Sequence, residues 1–330
     1  MRIVLDAMGG DKAPENPVKG AVMAVKEYGY EVTLVGREKE IRKELEGEKY
    51  PEDKLFVVNV PEVIDMEEPA AVSVRKKRNS SIVKGLEMVK DKTHDAFVSA
   101  GNTGAVVCAA TLSLRLLPGI DRPGIAVVFP TLAKPILVID VGANIDPKPL
   151  HMLQYGVMGD AYSRHLFGKE DPSVGLLNIG EESSKGTDFE KESHALLKNS
   201  KLNFIGNVEP KEVYKGSADV VLSNGFVGNV FLKVTEAFAY AGAELLKTEL
   251  KRSGLLAQLG ALMMLPSLKK IKKRVDSSEH GGAPLLGVDG RVIIAHGSSN
   301  PKAVKNAIRV AGEFYDHQVN KHILEELQTF

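Results

Sequence analysis

The feature that most constrains this chain is an alternation. A short apolar run, a glycine-bearing polar turn and a longer stretch with helical spacing recur from end to end. The apolar runs fall at 2–6, 31–35, 55–58, 95–99, 125–129, 136–140, 173–178, 203–206, 218–222 and 292–295. Several are continuously apolar, the pattern of strands covered on both faces. Helical spacing follows at 17–28, 37–46, 80–90, 103–116, 149–167, 187–199, 226–252 and 301–327. Strand then helix, repeated this often, predicts an α/β fold with a doubly wound, mostly parallel sheet. One α/β domain over 1–330 is expected, with a helical hairpin at 247–274 as a subregion within it.

Six of the runs end alike. Asp6 leads into Met8, Gly9, Gly10 and Asp11, and Ser99 into Gly101, Asn102, Thr103 and Gly104. Asp140 leads into Gly142, Ala143 and Asn144, and Asn178 into Gly180, Glu181 and Glu182. Leu222 leads into Asn224, Gly225, Gly228 and Asn229, and Ala295 into His296, Gly297 and Ser298. In a parallel sheet the carboxyl ends of the strands share one edge, and ligands bind there. The six turns are therefore expected to line one cleft.

Glycine lets backbone N–H groups approach a ligand, and a helix N-terminus adds free donors. Gly101, Asn102, Thr103 and Gly104 thus form a candidate phosphate site, the alternative being a tight turn with no ligand. Lys185 follows a strand end and can neutralise a phosphate or a developing oxyanion, although most loop lysines are merely solvated. Asn229 can donate into the cleft or cap a helix. His280 and His296 are candidate acid–base groups. Asp6, Gly9, Gly10, Asp140, Asn144 and Asn224 complete the expected cleft.

Several classes are excluded. The run Gly180–Thr187 fails as a P-loop because Lys185 precedes Gly186. No G-x-G-x-x-G follows the first strand, and no G-x-S-x-G elbow is present. The acidic residues lack metal-ligand spacing. Lys+Arg and Asp+Glu are both 43, so no basic excess points to nucleic acid. One cysteine, Cys108 in an apolar run, rules out a disulfide framework and reads as a core thiol. The start turns charged within eleven residues, unlike a secretory signal, so a cytoplasmic protein is expected.

The stretch 247–274 stands apart. Leu255, Leu259 and Met263 lie among further leucines and methionines, beside cations that include Lys270 and Lys273. Eight cations against one anion, Glu249, leave it positive by seven. Such a segment suits an anionic membrane surface or an acidic protein. A buried hairpin at a dimer interface is the alternative.

DAMGGD, SAGNTGA, DVGAN, NIGEESSKG, NVE, NGFVGNVFLK, GGAPLLGVDG and AHGSS occur in the order found in the bacterial phosphate acyltransferase family (PlsX) of phospholipid synthesis. The segment EEPAAVSVRKKRNSS resembles that family too, and the likeness runs from residue 1 to about 327. One departure is Asn224, where the family usually has an aspartate. The resemblance implies an isopropylmalate-dehydrogenase-like fold, a homodimer and no nucleotide or redox cofactor. It implies that inorganic phosphate attacks the thioester of a long-chain acyl group on acyl carrier protein. The acyl phosphate would pass to a membrane glycerol-3-phosphate acyltransferase.

The residues suit that chemistry. Phosphate is already nucleophilic near neutrality, and a thiolate of pKa about 8.5 leaves readily. What remains is positioning and oxyanion stabilisation. The expected assignment places phosphate on residues 101–104 with Lys185, the oxyanion on Asn229 or backbone amides, and His296 or His280 beside the leaving thiol. Three rivals are a phosphotransacetylase using acyl-coenzyme A, a metal- and nicotinamide-dependent decarboxylating dehydrogenase, and a non-catalytic membrane scaffold for lipid-synthesis enzymes.

Overall fold

The computed structural model describes residues 1–329, apart from the side chains of 255, 257, 271–275, 277 and 280. The first half of the chain runs β1 (Arg2–Asp6), α1 (Glu15–Tyr28), β2 (Glu31–Gly36), α2 (Glu38–Leu45), β3 (Leu55–Asn59), α3 (Ala70–Lys76), α4 (Ser81–Lys90), β4 (Ala96–Ser99), α5 (Thr103–Leu114), β5 (Gly124–Phe129), β6 (Ile136–Ile139) and α6 (Pro149–Phe167). There follow β7 (Ser173–Leu177), α7 (Asp188–Lys198), β8 (Asn203–Val208), α8 (Pro210–Lys215), β9 (Val220–Leu222), α9 (Gly225–Arg252), α10 (Leu255–Val275), α11 (Ser277–His280), β10 (Ala283–Leu286), β11 (Val292–Ile294), α12 (Pro301–Asp316) and α13 (Val319–Leu327).

The α/β class expected from the alternation is what the chain adopts. The strands form one sheet in the order β3-β2-β1-β4-β11-β10-β5-β6-β9-β7-β8. Interior strands such as β4 and β6 are buried at every position, which explains their unbroken apolar runs. Apolar cores line the faces of the sheet, one of them joining α1 and α12 to β1 and β2 through Val18, Val22, Ile308, Ile3 and Leu34. The expected long helix at 301–327 is two helices, because Gln318 takes a left-handed φ of 47° between α12 and α13.

One strand, β10, has no counterpart in the sequence reading, and it alters the architecture. It pairs antiparallel with β11 on one side and β5 on the other. β5 in turn pairs antiparallel with β6. Three reversals separate β11 from β6, so the parallel set β3, β2, β1, β4, β11 runs opposite to the parallel set β6, β9, β7, β8. The carboxyl ends of the two sets lie on opposite edges of the sheet.

The 28 residues of α9 span about 42 Å. Beyond its first turns the helix leaves the body of the protein: Val234, Phe238, Tyr240 and Leu245 are exposed. It turns back at Ser253–Gly254 into α10. Among the described residues no helix is long and apolar enough to cross a membrane.

Candidate functional site

The six glycine turns do not form one ring. Strand polarity divides them into two clusters of three, and among the described residues no hydrogen bond joins one cluster to the other. This corrects the expected single edge, and the physical reason is the reversal at β10 and β5.

The first cluster follows β1, β4 and β11. Asp6 is fully buried, and its carboxylate accepts from the Met8 N–H at 3.0 Å and the Ser99 hydroxyl at 2.8 Å. Burial pushes its pKa up, opposed by hydrogen bonds from Ser81, Ser99, Met8 and Gly9. Gly9 seats the β1 turn against the β4 turn: a Cβ there would stand 2.5 Å from the Gly101 nitrogen. The Gly101 N–H donates to Ser99 Oγ at 3.0 Å. Asn102 caps α5 through Ala105 N–H, and its amide hydrogens go to the carbonyls of Asp65, Met66 and Glu68 at 3.0–3.2 Å. Glu68 ties that segment to Ser73 and Lys77, and the Lys77 ammonium holds its carboxyl down at about 2. Asn102 is thus a clamp whose side chain has no donor left for phosphate. His296 is exposed; its Nδ1 lies 2.7 Å from the Ser298 hydroxyl and 3.2 Å from the Ser298 N–H.

The second cluster follows β6, β9 and β7, three adjacent strands. Asp140 is buried beneath it, and its carboxylate accepts from the N–H groups of Ile125, Gly142, Ala143 and Asn144 at 2.6–3.0 Å. Burial raises the Asp140 pKa against those four donors. Asn144 spends its amide hydrogens on Pro123 O at 2.7 Å and the Tyr155 hydroxyl at 2.5 Å. Asp6, Asp140 and Asn144 therefore hold turns in place from below; they were expected to face the cleft.

The start of α9 packs directly on this turn. A Cβ on Gly228 would lie 2.0 Å from Asp140 O, and one on Gly225 would lie 2.5 Å from Asn144 O, so only glycine allows the approach. Asn224 caps the helix, its Oδ1 accepting from Val227 N–H at 2.8 Å. Aspartate and asparagine serve equally well as N-caps, so the departure at this position leaves the cap intact. Asn229, one turn on, stands over Gly142, and among the described residues its side chain has no hydrogen-bond partner. Next along the edge, Asn178 and Asn207 donate to the carbonyls of Lys185 and Glu182 and pin the loop after β7. The Lys185 side chain is exposed, with no ion pair among the described residues.

Lys185 and Asn229 thus share an edge, one strand spacing apart at their roots. Residues 101–104 do not join them: β4 and β7 are six strand steps apart, roughly 29 Å along the sheet. The expected pairing of Lys185 with residues 101–104 on one phosphate is corrected for a single chain. β11 and β6 are three steps apart, about 14 Å along the sheet, and His296 leaves the opposite edge from Lys185 and Asn229. Of the remaining expectations, Gly10 has a φ of 105° and packs on Gly297 O, Leu259 and Met263 are 57% and 85% exposed, and Lys270 is exposed. The side chains of Leu255, Lys273 and His280 lie outside the described residues.

Sequence reasoning missed two sets of residues here. Ile145, Ile179 and Phe226, 72%, 82% and 62% exposed, surround the second cluster with apolar surface. Each follows an asparagine of its turn within two residues, a repetition readable in the chain. Arg122 is exposed beside this cluster, next to Pro123, and its charge is felt by Tyr155 and His151.

These observations define an α/β protein with paired strand-end clusters, one offering a cation, an amide and a helix N-terminus within an apolar collar. Two solved structures share the fold: a phosphotransacetylase from Streptococcus pyogenes (TM-score 0.63, 18% identity, 96% of this chain and 94% of that one) and a 4-hydroxythreonine-4-phosphate dehydrogenase from Klebsiella pneumoniae (TM-score 0.57, 12% identity, 96% and 99%). At such identities they show the fold alone.

The sequence matches the family described as "Fatty acid synthesis protein" over residues 1–322. It is 49% identical over 329 residues to the phosphate acyltransferase of Dictyoglomus turgidum, covering 99% of this chain and 98% of that protein. It is 44% identical to the phosphate acyltransferase of Geobacter sulfurreducens, covering 100% and 95%. The chain belongs to the phosphate acyltransferase family, and its class of activity is acyl transfer.

Proposed function

We propose that the chain transfers a long-chain acyl group from the thioester of acyl carrier protein to inorganic phosphate, giving an acyl phosphate for a membrane glycerol-3-phosphate acyltransferase. The observation that carries this reading is the second cluster, where Lys185, Asn229 and the N-terminus of α9 stand on adjacent strand ends inside an apolar collar. Near-half identity to phosphate acyltransferases over the whole chain supports it.

Phosphate is held by Lys185 and by the Phe226 N–H, which has no acceptor among the described residues, at the positive end of α9. A phosphate oxygen attacks the thioester carbon, and the carbonyl electrons move onto oxygen. Asn229 donates to that oxyanion. When the carbonyl reforms, the C–S bond breaks and the thiolate departs. With a pKa of about 8.5 the thiolate leaves as the anion and takes its proton from water. A single preorganised oxyanion donor is worth about 10²–10³ in kcat.

The hairpin serves a separate role. Exposed Leu259, Leu262 and Met263 beside Lys269 and Lys270 suit an anionic membrane surface, so the chain sits in the cytoplasm as a peripheral membrane protein. The exposed apolar face of α9 pairs with a second copy in a homodimer.

The test is phosphate-dependent release of carrier-protein thiol. Wild type should turn over, and Lys185→Ala and Asn229→Ala should each lose about 10²–10³. Full activity in both would refute the assignment. Faster turnover of palmitoyl-coenzyme A than of palmitoyl-carrier protein would favour the phosphotransacetylase reading.

A further inference from the structure

Beside the second cluster lies a groove that the mechanism above does not use. One wall is α6, which starts just after the Asp140–Asn144 turn and is fastened to it by the Tyr155 hydroxyl. Leu150, Leu153 and Val157 recur on this wall at i, i+3 and i+7, over seven residues or about 10 Å of helix. Leu324 and Leu327 of α13 form the facing wall, and Pro118 closes one side. The cavity is about 320 Å³.

Its chemistry is one-sided, for no charged residue lines it. Two glutamines do: Gln328 is exposed at the rim, and the Gln154 amide is engaged, Nε2 donating to Gly119 O at 3.0 Å and to the Asp121 carboxylate at 3.2 Å, and Oε1 accepting from Asp121 N–H at 3.1 Å. A polar ligand would find few partners. Leu150, 47% exposed, stands at the end of the groove nearest the cluster, and Ile145, 72% exposed, lies between it and Asn144 in the chain.

We propose that this groove between α6 and α13 receives the distal carbons of the acyl chain whose carbonyl reacts at the second cluster. The proposal rests on the acyltransferase reading above. A methylene occupies about the 30 Å³ share of a liquid water, so the cavity accommodates roughly ten carbons. That is a large part of a long acyl chain and more than a short one needs. The groove leads away from the reacting edge, as a chain tethered at its carbonyl requires.

The chain contains no tryptophan, so Leu150→Trp and Leu327→Trp each place a sole indole in the groove. Titration of either folded variant with hexadecyl phosphate, kept below its micelle concentration, should give a saturable blue shift that butyl phosphate does not produce. The use of two positions guards against a misfolded variant. Unshifted emission in both overturns the proposal. A blue shift that grows with protein concentration in the absence of lipid also overturns it, because a second copy would then be the occupant. In turnover, Leu153→Phe should lower the ratio of hexadecanoyl to butyryl thioester rates about tenfold, and an unchanged ratio counts against the groove. If wild type releases no thiol from any donor, the acyltransferase reading falls, while the titration still decides whether the groove takes an alkyl chain.

Discussion

The two clusters are built from the same local grammar and do different work. In both, a strand ends, a glycine turn follows and a buried aspartate gathers the turn's amides. In the first cluster Asp6, Ser99 and Asn102 consume the Met8 and Gly101 amides and fasten the 65–68 segment. In the second, Asp140 consumes four amides, yet the side chains of Lys185 and Asn229 project beyond the turn without partners among the described residues. Glycine turns alone therefore do not mark an anion site. What marks it is the cation of the loop after β7 and the amide in the first turns of α9, both left without partners among the described residues.

The largest effect that would break this comparison is kinetic. Asn229→Ala should cost about 10²–10³ in turnover with little change in unfolding midpoint, because its amide carries no structural bond. Asn102→Ala should do the reverse. It leaves three carbonyls without their donor and removes a cap, so stability should fall by about 3 kcal/mol in denaturant titration. Comparable kinetic losses with unchanged stability in both variants would erase the distinction.

Asp140→Ala should cost on the order of 3 kcal/mol in unfolding free energy, since four N–H groups, one buried and three part-buried, lose their acceptor. A near-neutral result would show that the turn holds itself without the carboxylate. At the hairpin, Leu259→Glu with Met263→Glu should release the protein from anionic vesicles in a sedimentation assay, with soluble turnover retained. Undiminished binding would assign that surface elsewhere.

The smallest effect is a pH dependence. Burial is the main cause that lowers the pKa values of His94, His151, His165 and His194 below the ordinary 6.5. Just below pH 6.5 the unfolded chain therefore binds more protons than the folded one, and stability rises with pH in that window. The unfolding midpoint should be flat above about pH 7 and decline as pH falls through 6.5. A midpoint that increases on acidification through this window would mean that other groups dominate.

Most of the sheet was legible because buried strands such as 96–99 and 136–139 leave continuous apolar runs. The strand β10 was not, being four residues hemmed by Gly281, Gly282 and Gly287. Its omission hid the reversal of strand direction and so merged two clusters into one. A clue was present: only six residues separate Phe129 from Ile136, too few for the crossover that parallel strands need. Lys185 and Asn229 were legible as polar residues just past strand ends. The role of Asn102 was not, since its partners at 65, 66 and 68 come from a segment more than thirty residues away.

The most direct measurement is phosphate binding itself, followed by ³¹P line broadening on wild type, Lys185→Ala and Asn102→Ala, each confirmed folded. Placing the reacting phosphate at the second cluster predicts that Lys185→Ala abolishes the broadening and Asn102→Ala preserves it. Broadening that survives in Lys185→Ala and vanishes in Asn102→Ala would put the anion on the other edge of the sheet and contradict the account.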